Sequence, residues 1–172
     1  MSGRLAPALG GSLLGVENRG YIFNHTSRDE TTYSATRRSV YLPVVRNNLH
    51  DVFTLFDYTD ASVPNGNRGR SVVPAQALFL LNSELPAEAA ESLARDVLAE
   101  RESTAAARLA SLYQRVHGRE PNETESNRAA DFLAPSEALF AAEENGAATA
   151  EARAWQMLAH TLLISNEFLY IR

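Results

Sequence analysis

Residues 86–118 read PAEAAESLARDVLAERESTAAARLASLYQRVHG. Ala89, Ala90, Leu93, Val97 and Leu98 recur at helical spacing with Glu88, Glu91, Arg95 and Glu100 on the opposite side, which predicts an amphipathic helix entered at Pro86. A second helix follows from about Thr104 to His117, with Leu109, Leu112, Tyr113 and Val116 on one face and Gly118 as the residue that ends it. Two amphipathic helices with a short connection each need a partner for their apolar faces, so this stretch sets the class as mostly α.

The pattern continues toward the C-terminus. Asn122 with Glu125 three positions later is a variant of the capping box, opening a helix that carries Ala129, Phe132 and Leu133. Pro135 marks an interruption there, and Glu143-Glu144-Asn145-Gly146 reads as a loop. A last helix, Ala150 to about Ser165, sets Trp155, Leu158, Leu162 and Leu163 on one face, where Trp155 reads as core. The apolar tail Phe168-Leu169-Tyr170-Ile171 is expected to dock on that core.

Toward the N-terminus the periodicity fades. Pro74 suits the first position of a helix running to about Leu81, because the N–H it lacks has no partner there in any helix. Before it, 57–70 reads as a loop punctuated by Pro64, Asn65-Gly66 and Gly69. A short helix spans Leu49 to Phe56, capped by Asn47-Asn48, with Leu49, Val52, Phe53 and Phe56 on one face. Ser39–Leu42 and Val44-Val45 flank Pro43 and can form at most an edge or irregular strand, since proline donates nothing to a ladder. Residues 1–36 are rich in Gly, Ser and Thr. They read as a helix tail over roughly Ser2 to Leu9, then irregular structure ending in the polar run Asn24 to Glu30. The expected architecture is one domain in which an irregular N-terminal layer (1–36, then 37–82) packs on an antiparallel helical array (83–172), with minor β at most. Its start, with no opening element, suggests the C-terminal part of a larger domain.

Composition excludes several chemistries. With 172 residues the chain can bury a sizeable core without cross-links. It has no cysteine, so thiolate metal sites, cysteine nucleophiles and covalently attached c-type haem are absent from it, while the redox compartment stays open. All 16 basic residues are arginine, in keeping with a GC-rich coding bias, and Schiff-base or P-loop lysine chemistry is excluded. Residues 1–80 carry eight Arg against six acids, a net of +2; residues 81–172 carry eight Arg against fifteen acids, a net of −7. The acidic half reads as solvated helix faces, and no nucleic-acid partner is expected. No apolar run reaches the roughly 18 residues of a membrane span, and no export signal is expected at the N-terminus.

The residues that could carry chemistry lie in 37–82. Arg37, Arg38, Arg46, Arg68 and Arg70 stand close in sequence to Asp51, Asp57 and Asp60. Planar guanidinium groups pair bidentately with carboxylates, so the structural reading is a set of ion pairs pinning irregular loops to helices. The functional reading is an anion or ligand site formed by Arg37, Arg38, Arg46, Asp57, Asp60, Arg68, Arg70 and Gln76. In it Gly69 admits close backbone approach and the free N–H groups at the start of the Pro74 helix contribute. Asp57 and Asp60 as a glycosidase pair, or with Asn65 and Asn67 as calcium ligands, lack the pattern either chemistry requires. His25, His50, His117 and His160 form no metal-ligand pair, and His117 reads as a cation at a helix C-terminus. Ser39, Ser71 and Ser165 stand in no nucleophile elbow. No catalytic residue, metal or cofactor is assigned.

A family resemblance spans residues 4–172. Arg37-Arg38-Ser39-Val40-Tyr41-Leu42-Pro43, Arg46-Asn47-Asn48, Leu55-Phe56-Asp57, Asp60, Arg68, Arg70-Ser71, Pro74-Ala75-Gln76-Ala77-Leu78 and Leu81-Asn82 resemble a planctomycete domain of unknown function. Leu112-Tyr113 with Gly118-Arg119-Glu120-Pro121 resemble the penultimate helix pair of the same domain, and Trp155, Leu162-Leu163 and Ser165 to Tyr170 resemble its end. The resemblance implies a position at the C-terminus of large exported proteins, periplasmic or at the cell surface, whose other domains are the partners, a cytochrome c-like domain among them. It carries no activity and no catalytic residues. Together these readings point to a helical, non-catalytic structural or interaction module. The alternative is a ligand-binding or hydrolytic domain acting on an anionic or carbohydrate substrate through the Arg/Asp-rich segment.

Overall fold

Leu93, Leu112, Val97 and Trp155 are the largest fully buried side chains, and the helices that carry them define the architecture. The structure is a computed structural model that describes residues 5–7, 36–44, 49–59, 66, 74–100, 104–143 and 147–170. Among these residues there are seven α-helices and no strand: α1 (Asp51–Leu55), α2 (Pro74–Asn82), α3 (Glu84–Leu98), α4 (Ala105–His117), α5 (Glu123–Ala142), α6 (Ala147–Leu163) and α7 (Asn166–Leu169). The fold is mostly α, as the periodicity predicts. The chain divides into two compact units at Gln76/Ala77, inside α2.

In the C-terminal unit α6 is the central helix, packed against α3, α4, α5 and α7. Its Ala150, Ala154 and Ala159 are nearly inaccessible, and such small residues let neighbouring backbones approach closely, while Trp155 fills the space between them. From α3 the core takes Ala90, Leu93, Ala94 and Val97, and from α4 Leu109, Leu112, Tyr113 and Val116. Both sets follow i, i+3, i+4, i+7, the stripe a helix must bury. Thr104 caps α4 by accepting from the Ala107 N–H at 3.2 Å, and Gly118 ends it at φ 72°, where a side chain would be strained. Asn122 and Glu125 form the complete reciprocal capping box of α5.

One expectation for this unit fails. Pro135 does not interrupt α5, which runs on to Ala142 with the proline inside it. Ala129, Leu133 and Phe140 all point into the core, and their burial on one face outweighs the hydrogen bond that Pro135 removes from the helix. The tail also gains structure: Ser165 caps α7, and of the apolar run expected to dock Phe168 packs against the core, whereas Tyr170 is exposed and Ile171 lies outside the described residues.

The N-terminal unit holds α1. Leu5, Ala6 and Pro7 are not helical, contrary to the predicted helix tail, because the Ala6 N–H donates to the distant Thr36 carbonyl at 2.9 Å and Pro7 disfavours helical geometry in the residue before it. Ser39–Tyr41 is a single 3-10 turn rather than a strand, closed by Tyr41 N–H to Arg38 and Leu42 N–H to Ser39. The Asn24–Glu30 run, Asn47-Asn48 and the Asn145-Gly146 turn lie outside the described residues.

Candidate functional site

Phe53 is the buried residue of α1, and the helix is built around it. The cap is His50 rather than an asparagine: its Nδ1 accepts from the Val52 N–H at 3.1 Å, which puts any proton of the neutral ring on Nε2. At the other end Asp57 takes a left-handed conformation, φ 56°, and the Tyr58 N–H reaches back to the Phe53 carbonyl at 3.0 Å. That bond spans the six residues of a Schellman ending, and the hydrophobic contact that accompanies such endings is present as stacked Phe53 and Tyr58 rings, 4.8 Å apart. Asp57 therefore has a structural post as the residue that turns the chain out of α1.

Gln76 has another. It is buried, and its amide donates to the Leu55 carbonyl at 2.7 Å. A helix leaves its last four carbonyls without partners, and Leu55 closes α1, so Gln76 fastens the start of α2 to the end of α1. Arg37 is half-buried and Arg38 exposed, beside the 3-10 turn. Arg46, Asp60, Arg68 and Arg70 lie outside the described residues. Of the eight candidates, Asp57 and Gln76 are thus both seen at the C-terminal end of α1.

The most complete polar cluster lies elsewhere, at Arg119. Its Nε and Nη2 donate to Oε1 and Oε2 of Glu167 at 2.7 and 2.8 Å. Its Nη1 and Nη2 donate to Oε2 and Oε1 of Glu125 at 2.8 and 2.7 Å. The fifth N–H reaches the Glu120 carbonyl at 3.0 Å, which exhausts the donors of a guanidinium. Glu125 also accepts the Asn122 N–H at 2.8 Å, so a single side chain ties the entry of α5 to the first turn of α7.

Electrostatics follow from this geometry. The Arg119 bonds, aided by the Asn122 N–H, hold the Glu125 carboxyl down at about 2. Glu167 is lowered by the same guanidinium, whose own proton is held more tightly in return. Tyr113, beneath the Arg119 cation at 5.7 Å, is raised chiefly by burial and then by Glu125. His117 meets Tyr113 edge-on at 5.4 Å in the last turn of α4, and its buried Nδ1 has no hydrogen-bond partner among the described residues.

Apart from Arg95–Glu91, which lies within α3, the other ion pairs among the described residues also link separate stretches of the unit. Arg108 of α4 meets Glu151 of α6 at 2.7 Å, and Arg115 of α4 meets Asp96 of α3 at 3.4 Å and Glu100 at 2.9 Å. Arg153 of α6 reaches Glu143 at 2.6 Å while lying 4.3 Å over the Phe140 ring. His160 Nε2 lies 3.0 Å from the Leu80 carbonyl near the end of α2, and Asn82 and the Ser83 N–H occupy the Leu78 and Phe79 carbonyls. Among the described residues no group of three or more His, Asp or Glu is placed to hold a metal, and no helix is long and apolar enough to cross a membrane.

Comparison with known proteins adds one finding. A family model described as a protein of unknown function, DUF1553, matches residues 1–133. The chain belongs to the DUF1553 family. The match contains the whole Arg37–Asn82 stretch and the local half of the clasp, Arg119 and Glu125. It stops short of Trp155 and Glu167, so the resemblance drawn over 4–172 is matched by the DUF1553 model only as far as Leu133. No curated protein and no solved structure matches the chain. Arg119 and Glu167 lie in two of the motifs that carry the family resemblance, yet nothing local to either residue signals that they meet.

Proposed function

We propose that this DUF1553 chain is a helical structural and interaction module that works against other domains of one protein. The observation that carries this reading is the surface of α2. That helix has no charged residue, and of its two polar side chains Gln76 is buried and Asn82 is bonded back to Leu78. Leu78 and Leu81 are nevertheless 60% and 52% exposed, and Leu85 at the start of α3 is 62% exposed. An uncharged helix is ordinarily buried, and a group of exposed leucines is the feature expected of a surface that another chain segment covers.

The charged groups favour the same reading. The ion pairs of Arg108, Arg115, Arg119 and Arg153 are made within the C-terminal unit, between one helical segment and another. The sequence resemblance supplies the setting: the C-terminal region of a large exported planctomycete protein, with a cytochrome c-like domain among the neighbouring domains.

Hydrogen–deuterium exchange tests it, measured at the α2 amides in this chain alone and in the longer protein that the reading requires. Slower exchange in the longer protein, abolished by Leu78→Asp with Leu81→Asp, is expected. Equal exchange in the two contexts overturns it.

A further inference from the structure

We draw no further inference here: the strongest candidate, the uncharged surface of α2 with the exposed Leu78 and Leu81 beside Leu85, already carries the proposed function, and nothing among the described residues shows what covers it.

Discussion

Arg119 and Glu125 face each other through two parallel hydrogen bonds of 2.8 and 2.7 Å, and the same carboxylate accepts the N-cap amide of α5. Because Arg119 also grips Glu167, one half-exposed guanidinium links a helix start to the C-terminal helix. Exposed ion pairs contribute little when isolated, but a bidentate network that fills every donor is the favourable case.

Arg119→Ala is therefore expected to destabilise the C-terminal unit by about 1 kcal/mol, solvent screening holding the half-exposed network well below the value of a buried one. Trp155 is the chain's only tryptophan and is buried in that unit's core, so its fluorescence reports the transition directly. Arg119→Lys keeps the charge without the fork and should recover only part of the loss. Wild-type melting in both variants would remove the clasp from any account of stability.

The clasp should also impose a pH dependence. Glu125 is lowered from 4.5 to about 2, and Glu167 is lowered as well. The folded chain thus binds these protons more weakly than the unfolded chain. Their contribution is complete above the unfolded value and is lost as pH falls from about 4.5 toward 2. The melting difference between wild type and Arg119→Ala should be constant above pH ~5 and close below it, the ordinary carboxylate value being about 4.3. A difference unchanged at pH ~3 would contradict the assignment.

Pro135 offers a test in the opposite direction. It is exposed within α5, and it withholds a hydrogen bond from the carbonyl four residues earlier. Pro135→Ala is expected to raise stability by about 1–3 kcal/mol, read from denaturant melts followed at Trp155. A lower midpoint would mean that the proline bends α5 into a shape the core requires.

At the end of α1, Asp57→Gly should be tolerated, whereas Asp57→Val, a β-branched residue forced to φ 56°, should cost about 1–3 kcal/mol. Exchange of the Tyr58 amide, which bonds to Phe53, measures this locally. Equal protection in both variants would show that the left-handed ending is unimportant.

Much of the fold is written locally. The capping box at Asn122 and Glu125, the left-handed Gly118 and the apolar stripe through Leu109, Leu112, Tyr113 and Val116 each sit within a few residues, and each is realised. Sequence reading failed where a distant group decides. Pro135 is a local stop signal overruled by the burial of Leu133 and Phe140, and Ala6 leaves its predicted helix for the Thr36 carbonyl. For the candidate site, the polar residues of the Arg/Asp-rich segment include Asp57 and Gln76, but side-chain type does not distinguish a ligand contact from a helix ending. The structure adds a structural role for each at the C-terminal end of α1, Asp57 through its left-handed φ and Gln76 through its bond to the Leu55 carbonyl.

The two arms of the Arg119 clasp differ in sequence span: Glu125 is 6 positions away and Glu167 is 48. Closing a short loop costs less chain entropy than closing a long one, so the near arm can form early in folding and the far arm only once α5 and α6 are in place. Glu125→Gln should then slow folding, whereas Glu167→Gln should leave the folding rate alone and quicken unfolding. Stopped-flow fluorescence of Trp155 would separate the two limbs. The lifetime of the folded unit, rather than its speed of assembly, then rests on the distant arm.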